Sequence, residues 1–198
     1  MAVGGVIGPI AFVLAWAVLG EVTDGFSHRH DAISDLAADG ASTQPAMTAA
    51  LLVLGVGMVL FGNALRTALR PLAGTAAVVA GIADIGVAAF PVGAGVDRIH
   101  GDVATVAYIA TVATPLLAVR PYAARGRRAQ AGFAAVAALV TLACVIGMRY
   151  GSDFGLWQRV GLTASHLWIA VTALTIAVNK ARAVPGSGEN RGPCGGVL

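Results

Sequence analysis

Six long apolar runs, separated by short clusters of charged and turn-forming residues, divide this chain into residues 3–19, 45–65, 71–90, 103–119, 129–148 and 160–178. A helix needs ~20 apolar residues to cross the hydrocarbon of a bilayer, and these runs have that length. A single acid, Asp84, falls inside them. Strands are a poor reading, because alanine and leucine dominate and no ~10-residue segments of alternating polarity appear. With no water in the hydrocarbon to satisfy backbone groups, helices are the form left. The fold class expected is all-α, an integral membrane six-helix bundle. Residues 1–182 form its transmembrane domain. Residues 183–198, rich in Gly and Pro without apolar periodicity, are expected to form a disordered tail.

Charge placement gives an orientation. Only 12% of the residues are charged, against ~25% in a soluble domain. The net charge of +3 therefore reflects arginines at helix ends, and no nucleic-acid partner is expected. Nine of the thirteen basic residues lie after the second and fourth runs or after the sixth: Arg66, Arg70, Arg120, Arg125, Arg127, Arg128, Lys180, Arg182 and Arg191. The positive-inside rule places those segments, and with them both termini, in the cytoplasm. The chain is read as a multi-pass protein of the cell membrane, with the lipid bilayer as its first partner. No positive segment precedes run 3–19, so it reads as a first span rather than a cleaved signal. Twelve arginines against one lysine, with heavy Ala, Gly and Val usage, suit a GC-rich bacterial gene. Cys144 in the fifth run and Cys194 in the tail should not meet; the first reads as a packing residue and no disulfide is expected.

The polar chemistry gathers on the opposite side. Eight of the ten acids and three of the four histidines lie in the three outer loops. The longest, residues 21–44, contains His30-Asp31-Ala32-Ile33-Ser34-Asp35-Leu36-Ala37, which places Ile33, Leu36 and Ala37 on one helical face. Gly40 follows as a stop signal. This stretch reads as a short helix on the bundle mouth, with Ser34 and Asp35 either capping backbone groups or pointing inward. Asp84 lies six residues, ~9 Å along a helix, below the outer boundary at Phe90, and His166 lies at the same depth below Val160. With Tyr108 and Trp16 they are expected to line one outward-facing cavity. An acid in a span costs at least ~2.5 kcal/mol and faces the bundle interior or a cavity. The alternative for Asp84 is an interhelical hydrogen bond that holds the bundle, and for His166 it is packing. Asp102 suits an N-cap or first-turn acid, whereas His100 and Asp97 lack so simple an account. Trp157-Gln158-Arg159 resembles an interfacial anchor. His28 and His30 do not share a helical face and no paired-Cys or HExxH spacing exists, so no metal and no cofactor is expected.

Several of these segments together resemble a family. The His30–Ala37 stretch, Phe90-Pro91 followed by Asp97 and Arg98-Ile99-His100-Gly101, and Gly155-Leu156-Trp157-Gln158-Arg159 precede the second, fourth and sixth runs respectively. In that order they resemble a widespread, mostly uncharacterised family of six-span bacterial membrane proteins, over residues 5–180. The layout is also similar to that of small actinobacterial membrane proteins that act as terpene cyclases in indole-terpenoid pathways. That likeness implies an enzyme acting on a hydrophobic isoprenoid-type small molecule. Proton-initiated ring closure needs a carboxylic acid that keeps its proton and aromatic faces for the migrating cation. Asp84 or Asp35 would be the acid, and His100 or His166 would take the final proton. Tyr108, Trp157 and Trp168, with Ser34 and Arg159, would bind substrate. No aspartate-rich diphosphate motif appears, which argues against ionisation of a diphosphate. The competing class is a small transporter, or a lipid- or small-molecule-binding membrane protein without catalysis. A homo-oligomer remains open.

The orientation is directly testable. A reporter fused after Arg182 should be active only as a cytoplasmic reporter, and one inserted near Ser42 only as an external one; the reverse pattern would overturn the assignment.

Overall fold

The computed structural model describes residues 1–183; Arg191, Cys194 and all but the first residue of the expected tail lie outside the described residues. Six α-helices account for most of the chain: α1 (Gly4–Glu21), α2 (Gln44–Ala68), α3 (Pro71–Ala89), α4 (Asp97–Ala124), α5 (Arg128–Tyr150) and α6 (Phe154–Arg182). No strand occurs among the described residues. Each helix is long and apolar enough to cross a membrane, and each turns large apolar side chains outward, such as Ile7, Leu52, Ile82, Ile109, Leu139 and Leu167. In water such a surface would drive association, whereas lipid tails accept it. The fold is an all-α, multi-pass membrane bundle.

The helices stand in a ring in chain order, each packed on the next, with α6 closing onto α1. Close approach depends on small residues. A methyl on Gly55 of α2 would lie 2.7 Å from the carbonyl oxygen of Gly81 on α3, and one on Gly62 would lie 2.7 Å from that of Gly74. The two backbones therefore touch along most of their length, a contact that dispersion forces reward in the absence of a hydrophobic drive between helices. Gly4 of α1 and Gly57 of α2 repeat the arrangement. Inside the ring, Phe61, Met58, Leu65, Trp168 and Ile169 are almost fully buried.

Two helices run further than their apolar cores. Helix α4 begins at Asp97 rather than near Val103, and α6 at Phe154 rather than near Val160. Asp102 thus lies inside α4, and the acid at that helix start is Asp97, whose Oδ1 accepts the Gly93 N–H at 2.7 Å. Between α1 and α2 the chain forms a short 3-10 helix, Ile33–Ala37, called here the cover segment. Its buried side chains are Ile33, Leu36 and Ala37, the face read from the sequence, although the tighter coil replaces an α-helix.

Loops around the cover are laced to one another. The Thr43 hydroxyl donates to Leu36 O at 2.8 Å, and the Leu156 N–H donates to Arg29 O at 3.0 Å. The Asp39 N–H donates to Val92 O at 2.8 Å. At the other end of the bundle, Arg125 donates to Leu69 O at 2.7 Å, fastening α4 to the α2–α3 turn.

Candidate functional site

Beneath the cover segment the ring lines a partly open cavity of about 60 Å³. One water needs ~10–15 Å³ of such space, so the cavity as it stands holds a few heavy atoms. Phe12, Ile33, Leu51, Val87 and Leu162 supply apolar wall; Ser34, Asp84, His100, Tyr108, Gln158 and His166 supply polar groups. Helices α1, α2, α3, α4 and α6 all contribute, and α5 does not.

Each polar group is held differently. The Asp84 carboxyl faces the cavity, and no hydrogen bond or ion pair reaches it among the described residues. His100 Nδ1 lies 2.8 Å from Phe90 O. A carbonyl only accepts, so Nδ1 carries the hydrogen, and Nε2 of the neutral ring is left with its lone pair. His166 is 4% exposed, with its ring edge-on to Phe12 at 5.5 Å between centroids. Its Nδ1 is buried without a protein partner. Gln158 is likewise buried: its Oε1 accepts the Ile33 N–H at 2.7 Å, and its Nε2 donates to the Tyr108 hydroxyl at 2.6 Å. One amide thus ties the cover segment to the cavity wall.

Among the residues expected at a site, Asp84, His100, His166, Tyr108 and Ser34 meet in this cavity. Asp35 does not line it. That residue is exposed, and its Oδ2 accepts the Ala32 N–H at 2.9 Å, capping its own short helix. Trp168 turns away, edge-on to Phe61 in the core, and Trp157 lies against Gly147 of α5 and Gly151 just after it. Arg159 is a brace outside the lining. Its Nη1 donates to Asp31 O and Gly155 O, both at 2.9 Å. Its guanidinium lies 5.4 Å from the Trp16 ring and 5.3 Å from that of Phe26, cation–π contacts that offset burial of the charge. Trp16 therefore serves the brace rather than the cavity. No group of three or more metal-binding side chains occurs among the described residues.

Gln158 is a site residue that sequence reasoning passed over. Its place beside Trp157 and Arg159 suggested an anchor before the sixth run. The available signal was its spacing of four and eight residues from Leu162 and His166, which puts all three on one face of a helix.

The ring of six membrane-length helices, with polar groups collected under one set of loops, defines a multi-pass membrane protein with an internal polar cavity. The chain belongs to the family described as protein of unknown function, DUF998, which it matches over residues 6–175. That is an uncharacterised six-span membrane family, as the loop motifs suggested. No curated protein and no solved structure matches the chain.

Outside the spans, Arg29 and Asp153 form a two-point ion pair, Nε to Oδ1 and Nη2 to Oδ2, each 2.9 Å. The hydrogen bonds from Arg29 hold the Asp153 carboxyl below its usual range. A depressed carboxylate contributes stability in full above its unfolded value, ~3.9, and loses it as the pH falls through the lower folded value. Relative to the intrinsic rate at each pH, amide exchange across residues 27–31 should therefore become faster (lower protection) on acidification below about pH 4. Asp153→Asn should show the faster exchange already at neutral pH. Unchanged exchange in that variant would mean the pair does not fasten the loop.

Proposed function

We propose that this protein is a membrane-embedded enzyme that performs acid–base chemistry on the reactive end of a lipophilic, isoprenoid-type molecule. The observation that carries the reading is a single cavity joining a carboxyl without a protein partner, Asp84, to an imidazole with an open nitrogen, His100. An ionisable residue at membrane depth, facing a cavity, is a functional candidate by default. The apolar walls suit a prenyl group, which partitions into the bilayer. The cavity as it stands has room for the reacting group and not for a whole prenyl chain. A substrate would therefore lodge its end beneath the cover segment and leave its tail among the helices or in lipid.

The narrower reading is proton-initiated cyclisation of a prenyl chain or its epoxide. In that step the Asp84 carboxyl gives its proton to the epoxide oxygen, and the carbon–oxygen bond breaks. The π electrons of a neighbouring alkene form the new carbon–carbon bond. The resulting cation loses a C–H proton to His100 Nε2, and its electron pair closes the final double bond. The product is an isomer of the substrate, and return of one proton from His100 to Asp84 resets the site. Tyr108 and Phe12 supply the aromatic faces available to the cation. Asp35, Trp157 and Trp168 have no part in this scheme, because they do not line the cavity.

The test uses membranes containing the protein and a prenylated indole bearing a terminal epoxide. Conversion should give a product of unchanged mass and altered retention. Asp84→Asn should lower conversion about 10²–10⁴-fold, the range for a positioned proton donor, with folded yield unchanged. Full conversion by Asp84→Asn would refute the acid role. Unaltered epoxide with wild-type protein would favour binding or transport without catalysis.

A further inference from the structure

The hydrogen-bond directions around Gln158 fix what Tyr108 offers to a ligand. A backbone N–H can only donate, so the atom of Gln158 that faces Ile33 N at 2.7 Å is its carbonyl oxygen. The amide nitrogen is then the atom 2.6 Å from the Tyr108 oxygen, and an amide NH2 can only donate. Tyr108 must therefore accept from Gln158 and direct its own O–H elsewhere. A phenol keeps its hydrogen near the ring plane. With one side of the oxygen taken by Gln158, the hydrogen lies on the other. No protein acceptor meets it among the described residues, and the side chain lines the cavity.

We infer that Tyr108 is a directed hydrogen-bond donor for an oxygen atom of the ligand, set in place by Gln158 acting as a positioning residue. The site therefore selects lipophiles whose buried end carries an epoxide, carbonyl or hydroxyl oxygen over their hydrocarbon counterparts. This inference rests on the reading of the cavity as a lipophile site and adds the chemical class that the cavity accepts. Gln158 takes its orientation from Ile33 of the cover segment, so the phenol is aimed only while the cover is seated. A ligand oxygen accepting from Tyr108 would then face the same space as Asp84 and His100, the groups assigned to proton transfer.

Two prenylated indoles of matched shape provide the test, one ending in an acetyl group and the other in an isopropenyl group. Neither carries the epoxide, and the two termini differ only in C=O against C=CH2. Affinities are measured by titration calorimetry with the full chain in lipid nanodiscs. Wild type should bind the ketone about tenfold more tightly than the alkene, the effect of one net hydrogen bond. Tyr108→Phe should abolish that preference. Gln158→Met, which keeps length but cannot donate, should reduce the preference several-fold. A purely structural Gln158 would leave the ratio intact and change only folded yield.

A ketone preference that survives Tyr108→Phe overturns the inference, as does its absence in wild type. An intact, Tyr108-dependent preference without epoxide conversion supports the inference and refutes the enzymatic reading. Epoxide conversion without any ketone preference does the reverse. Failure of wild type to bind either indole would contradict both.

Discussion

A hydrocarbon surround offers polar groups no partner, so every hydroxyl, amide and acid in these helices must be satisfied by protein or face an internal space. Most are satisfied locally. Thr114 and Thr175 donate to carbonyls one turn back, at 2.8 Å. Thr141 shares a buried knot with Ser165, 2.7 Å away, where α5 meets α6. Among the described residues, no protein partner reaches the Asp84 carboxyl or the His166 Nδ1 at the cavity.

The loops matter because they close that cavity. The cover segment buries Ile33, Leu36 and Ala37, lends the cavity the uncharged Ser34 and keeps Asp35 exposed, so it seats on the ring without placing a charge inside. Thr43, just before α2, and Gln158 on α6 hold its backbone, and Arg159 on α6 holds the loop leading into it at Asp31. Gln158 carries the same contact on to Tyr108. Closure and the arrangement of the polar wall are therefore one structural event. A lipophilic ligand that displaces the cover would release the amide that orients the phenol, and reseating would restore it.

Much of this was legible in the sequence. The lengths of the apolar runs fixed six helices, and the isolation of Asp84 at the depth of His166 pointed to a shared cavity. His100 stood out because no capping role accounted for it. Legibility failed where direction around a helix or long-range contact decided the outcome. Trp168 lies two residues beyond His166, ~200° around the helix, so one faces the cavity and the other faces Phe61. Arg159 looked like a ligand for substrate, but its partners are Trp16 and Phe26, separated from it by most of the chain. The start of α6 was hidden because its first two turns carry Asp153, Gln158 and Arg159 at or near the boundary. Hydropathy registers those residues as loop, whereas Asp153 pairs with Arg29 and both Gln158 and Arg159 are buried.

Photolabelling tests most directly whether the cavity under the cover segment takes the reactive end of a lipophile. The probe is a prenylated indole carrying a diazirine at the end of its prenyl chain, irradiated in membranes and mapped by mass spectrometry. Adducts should fall on the cavity-facing residues of the cover segment, α3, α4 and α6, among them Ser34, Asp84, Tyr108 and Leu162, and excess unlabelled epoxide should suppress them. Labelling confined to lipid-facing positions such as Ile82, Ile109 and Leu139, unchanged by competitor, would contradict the account.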